Sequence, residues 1–124
     1  VCPTVLDYAN IAVPQGLYKG RQIKTPSGYS WKPVLDNKAQ AIRPVNFSFA
    51  DELHGSKYAR QGDWKIALQG KSELGTGAWE LYNLKNDRGE TQNLAQDNPA
   101  KLQELVNVYN QYTQQNGVKE YFLK

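Results

Sequence analysis

Residues 47–84 constrain this chain more than any other stretch, and their centre is Tyr58-Ala59-Arg60-Gln61-Gly62-Asp63-Trp64-Lys65-Ile66-Ala67-Leu68. Trp64, Ile66 and Leu68 alternate with Lys65, Ala67 and Gln69, the period-2 pattern of a strand with one buried face. Residues 58–61 supply a partner strand, and Gly62-Asp63 between them is a two-residue hairpin loop in which glycine takes the positive φ of a type II′ turn. A second aromatic strand, residues 78–84, carries Trp79, Leu81 and Tyr82 after a glycine-rich loop at 70–77. A lone hairpin is marginal in water. Residues 46–53 provide a third strand, with Phe47, Phe49 and Leu53 on one face and Asp51 breaking the apolar row.

The face of this sheet needs a cover, and the end of the chain supplies one. Asn98-Pro99 reads as N-cap and first residue of a helix. Leu102, Leu105, Val106, Tyr109 and Tyr112 follow at helical spacing, and Gly117 is the stop. We place that stripe on the face bearing Trp64 and Ile66. The expected fold class is α+β: an antiparallel sheet of three to four strands with a long C-terminal helix across it. Asn86-Asp87-Arg88-Gly89-Glu90 reads as a turn with Gly89 at positive φ.

The beginning of the chain is less regular. Residues 3–9 read as a short helix with Pro3 in the first turn, an apolar face of Val5, Leu6 and Ala9, and Asn10 as a left-handed stop. Residues 14–44 are punctuated by glycine and proline and read as irregular, with one helical turn at 30–35 turning Trp31, Val34 and Leu35 inward. The expected division is 1–45, a short helix and connector, and 46–124, a sheet-plus-helix subdomain.

At 124 residues the chain is at most one domain with a modest core. No apolar run approaches the roughly 18 residues of a membrane span. No signal peptide is visible, and the opening Val1-Cys2-Pro3 has the look of a processed protein or a fragment. The net charge of +3 is uneven, with eight Lys/Arg against four acids in residues 1–62 and seven against eight in 63–124. The basic residues are scattered along the sequence, so no nucleic-acid partner is expected.

Few residues offer chemistry. One His and one Cys make no metal-ligand cluster, and neither a G-x-S-x-G elbow nor a phosphate-binding glycine loop is present. Cys2 has no paired base nearby and reads as a small buried hydrophobe rather than a nucleophile. The carboxylates of the Asp87-Arg88-Gly89-Glu90 turn read as partners of their own backbone, with cation binding the rival use. His54 ends a strand close to Asp51 and Glu52, with Gly55 allowing close approach. It is the candidate for lining a substrate cleft, against the plainer reading of a surface histidine in a β-turn.

Five segments in order then resemble the C-terminal part of bacterial arylsulfatases. Pro3-Thr4-Val5-Leu6-Asp7-Tyr8-Ala9 is similar to the family's P-T-x-L-x-L-A helix, and Gly28-Tyr29-Ser30-Trp31-Lys32-Pro33-Val34-Leu35 to its G-x-S-x-x-P-L-L segment. Arg60 to Lys65 resembles the R-x-G-D-W-K strand. Trp79 to Leu84, followed by Asp87 to Leu94, resembles W-x-L-Y-D-L and D-P-x-E-x-x-N-L. The resemblance implies a piece of a sulfuric ester hydrolase whose larger alkaline-phosphatase-like domain precedes it. It also implies a parent that uses calcium and a formylglycine made in a C-x-P-x-R motif. Cys2 lacks the Pro and Arg of that motif, so no catalytic role and no cofactor are carried onto this chain. The implied partners are the parent's catalytic domain and a sulfate-ester substrate, the implied location is periplasmic or secreted, and the separated fragment is expected to self-associate. The competing reading is an independent carbohydrate- or protein-binding module that uses Trp64, Trp79 and several tyrosines on an aromatic sheet face.

Overall fold

The computed structural model of the protein describes residues 1–70 and 75–119. The chain divides into two compact units, Val1–Pro44 and Val45–Lys124.

In the first unit, α1 (Cys2–Tyr8) carries Pro3 in its first turn and ends at Asn10 with φ +54, the left-handed stop expected there. A second helical turn, α2 (Lys32–Leu35), packs beside it. Polar bonds tie the two: the Tyr8 hydroxyl donates to Asp36 Oδ1 at 2.7 Å, Ser30 Oγ to Asp7 Oδ2 at 2.6 Å, and the Trp31 amide to Thr4 Oγ1 at 3.0 Å. Pro3 is the buried residue of α1, while Val5, Trp31 and Leu35 are 60%, 52% and 57% exposed. Trp31 and Leu35 therefore do not turn inward as their spacing predicts, because this unit is too small to enclose them. Cys2 is likewise exposed rather than buried. Part of the irregular segment is ordered after all: β1 (Leu17–Tyr18) pairs antiparallel with β2 (Arg21–Gln22). Lys19 and Gly20 close that hairpin at φ +49 and +77, the two left-handed residues of a type I′ turn.

The second unit contains a four-stranded antiparallel sheet in the order β3 (Ser48–Leu53), β4 (Ser56–Gln61), β5 (Trp64–Leu68), β6 (Glu80–Asn83). Gln61 pairs with Trp64, so Gly62-Asp63 is the two-residue loop expected there, and Gly62 has φ +58. The glycine-rich loop at 70–77 lies partly outside the described residues. Helix α3 (Pro99–Asn116) crosses the sheet, bounded by Asn98 and by Gly117 at φ +62. The Asn98 side chain makes no capping bond; its carbonyl instead accepts the Leu102 amide at 3.0 Å.

Register explains the core. Ala50 pairs with Ala59, Ala59 with Ile66, and Ile66 with Leu81, so one row of buried side chains runs across all four strands beneath Leu105 and Tyr109. α3 lies mainly over β3 and β4. Alanine on those strands lets the helix backbone come close, while Ile66 and Leu81 fill the wider gap over β5 and β6. Trp64 and Trp79 join this core, and the Trp79 ring meets Tyr109 edge-on at 5.3 Å. Because side chains alternate along a strand, Phe49, Tyr58, Arg60, Lys65 and Tyr82 occupy the opposite face. There Phe49 stacks on Phe47 and meets Tyr58 edge-on, each at 6.1 Å.

Candidate functional site

His54 sits at the tip of the β3–β4 hairpin. Leu53 pairs with Ser56, leaving His54-Gly55 as a two-residue loop with φ +51 and +83, a type I′ turn. The imidazole is exposed. The two carboxylates nearby in sequence are already engaged. Glu52 Oε1 accepts the Gly55 amide at 2.8 Å, and Asp51 Oδ1 accepts the Glu52 amide at 2.9 Å and the Tyr112 hydroxyl at 3.3 Å. Burial, then the Asp51 charge, raises the Tyr112 hydroxyl above the ordinary tyrosine range. Asp51 and Glu52 thus stiffen the hairpin instead of forming a proton relay with His54. A shallow concavity of about 270 Å³ lies alongside, lined by Leu53, Tyr58, Lys65, Ala67 and others.

The turn after β6 is built from its own polar groups. Asp87 Oδ2 accepts the amides of Thr91 at 2.8 Å and Gln92 at 2.9 Å, and Oδ1 accepts the Thr91 hydroxyl at 3.1 Å. The Gln92 amide, above all, holds the Asp87 carboxyl below the usual range. Glu90, not Gly89, takes the positive φ, at +56, and its carboxylate receives both bonds of Lys65 Nζ at 2.6 and 2.8 Å. That pair answers a local problem, because Arg60 and Lys65 stand directly opposite each other on neighbouring strands and like charges there repel. Asn93 and Leu94 then close the outer edge of β6: Asn93 Oδ1 accepts the Leu81 amide at 3.1 Å, and the Leu94 amide donates to the Leu81 carbonyl at 2.8 Å. Asp87 thus serves its own turn, as the plainer reading has it, whereas Glu90 is committed to Lys65 on β5.

Two further concavities flank the Gly62-Asp63 turn. One, of about 360 Å³, is lined by Asn46, Gln61, Asp63, Trp64, Asn83, Lys101 and Glu104 among others. The other, of about 470 Å³, is lined by Arg60, Asp63, Leu84, Lys85, Arg88 and Glu90. The sequence shows these cations as scattered. Strand pairing and the turn after β6 gather three of them, which the linear spacing of 60, 85 and 88 does not signal.

The groups that the sulfatase resemblance implies do not fit this chain's own residues. Among the described residues no group of three or more His, Cys, Asp or Glu could hold a metal. Cys2 is followed by Pro3-Thr4-Val5-Leu6 and lacks the formylglycine motif. No helix among the described residues is long and apolar enough to cross a membrane.

No family model matches the chain. It is 32% identical over 118 residues to an uncharacterized sulfatase of Schizosaccharomyces pombe, an alignment that covers 95% of this chain and 21% of that protein. Among solved structures, a 2-O GAG sulfatase superposes with TM-score 0.60 at 23% identity, over 96% of this chain and 26% of its own. A protein solved with its substrate D-glucosamine-2-N,6-O-disulfate superposes with TM-score 0.56 at 22% identity, over 91% of this chain and 23% of its own. The chain thus spans about a quarter or less of each of these proteins. The sequence aligns along nearly its whole length with one segment of the longer Schizosaccharomyces pombe sulfatase, and its fold is shared by segments of the two solved structures.

Proposed function

We propose that this chain is the C-terminal sheet-and-helix subdomain of a sulfatase, which supports the catalytic domain and helps wall the substrate cleft without cleaving the ester itself. The observation that carries this reading is the 32% identity to a sulfatase along 95% of the chain. In this reading calcium and the formylglycine nucleophile belong to the catalytic domain, which is the partner of this chain, and the whole protein acts on a sulfate ester outside the cytoplasm. The exposed His54 hairpin, in this reading, helps line the substrate cleft. His54 contributes by position and hydrogen bonding, since Asp51 and Glu52 are occupied elsewhere.

The test is an assay of the purified 124-residue chain with a chromogenic aryl sulfate. No turnover above buffer is expected, and steady hydrolysis would overturn the assignment. The alternative of a sugar-binding module that uses Trp64 and Trp79 loses ground, because both rings pack into the core under α3.

A further inference from the structure

The concavity beside the Gly62-Asp63 turn has an imbalance of charge that the fold does not resolve. Arg60, Lys85 and Arg88 line it together with Asp63 and Glu90. Glu90 is held by Lys65 at 2.6 Å and so adds little negative charge to the cavity. With Glu90 paired to Lys65, the lining leaves three cations, Arg60, Lys85 and Arg88, against the single carboxylate of Asp63. Lys85 and Arg88 are exposed, and neither side chain has a hydrogen-bond or ion-pair partner among the described residues. Arg60 is half-buried, and its Nε donates to the Gly62 carbonyl at 2.9 Å. That bond orients the planar guanidinium and leaves its Nη donors available, the arrangement that suits two oxygens of one anionic group.

We propose that this concavity binds a sulfate or phosphate group carried on a larger molecule. The oxyanion meets the Arg60 guanidinium, Lys85 and Arg88 neutralise its remaining charge, and the rest of the molecule occupies the open volume. About 470 Å³ lies within the size range of small-molecule sites and far exceeds a bare ion. Leu84 offers an apolar edge to a carbon skeleton. Asp63 opposes the anion and accepts hydroxyl donors from the same ligand. The proposal stands on this geometry and charge, independently of the sulfatase reading.

The test is an amide chemical-shift titration of the 124-residue chain with glucose 6-sulfate, glucose 6-phosphate and unmodified glucose. Saturable shifts centred on Arg60, Lys85 and Arg88 are expected with at least one ester and none with glucose, and whichever ester binds more tightly identifies the source of the oxyanion. Exchanging both exposed cations for acids, Lys85→Glu with Arg88→Glu, should weaken binding about tenfold or more, and added salt should weaken it in the native chain through screening. Shifts equal for glucose, shifts confined to another surface, undiminished binding by the charge-reversed chain, or no shift with either ester up to about 10 mM would each overturn the proposal. The salt series on the native chain keeps the test decisive if the double variant fails to fold.

Discussion

Tyr82 illustrates how one side chain records the whole sheet. It lies on the face away from α3, yet is only 8% exposed, and its hydroxyl donates to Glu80 Oε2 at 2.7 Å. Burial first, then that bond and the Glu80 charge, push its pKa from 10.0 up to about 12. A tyrosine whose folded pKa lies above its unfolded value stabilises the fold fully below pH 10. That contribution is lost as pH rises through about 12. An ultraviolet titration of the folded chain is expected to show a late tyrosinate step near pH 12 that Tyr82→Phe reduces by one tyrosine's absorbance; an unchanged late step in the variant would refute the assignment. His54 is instructive in the opposite sense. Its place at the end of a strand, and the plainer reading of a surface histidine in a β-turn, were legible, while the type I′ geometry of that turn follows from the pairing of Leu53 with Ser56.

Among the elements, α3 does most to hold the sheet together. Its stripe was readable because Leu102, Leu105, Val106, Tyr109 and Tyr112 repeat at helical spacing. Leu105 is fully buried against the Ala50–Leu81 row. Leu105→Ala should therefore cost about 2–5 kcal/mol, the range for emptying a packed core site. Urea unfolding followed by circular dichroism measures this, and a loss well under about 1 kcal/mol would mean that the helix does not seal the core. The chain between β6 and α3 works differently, through polar bonds. Lys65 to Glu90 and Asn93 to Leu81 join the R-x-G-D-W-K strand, the second tryptophan strand and the N-L segment. In this chain each of the three motifs supplies a partner to another.

At the scale of the molecule, the buried cluster lies entirely within Val45–Lys124, whereas in α1 and α2 only Pro3 is buried. We propose that Val45–Lys124 folds by itself and that residues 1–44 do not, since so short a piece buries too little apolar surface to offset its conformational entropy. Separately expressed, residues 45–124 should melt in one cooperative transition, while residues 1–44 should show random-coil circular dichroism. A non-cooperative melt of the longer piece would contradict this division.

What the sequence determined by itself is local. Strand alternation, the glycine that closes the β4–β5 hairpin, the left-handed stops at Asn10 and Gly117, the stripe of α3 and the motifs of a sulfatase were all legible. Each depends on neighbours within a turn or a few residues, or on a pattern kept in order along the chain. Tertiary structure alone decided that Ala50 and Ala59 carry the helix, that Phe49 and Tyr58 face away from it, and that Arg60, Lys85 and Arg88 share one concavity. The physical reason is that alternation tells which side chains share a face of one strand. Which face is buried, and which distant charges meet, follows from cross-strand register and from where the helix lies.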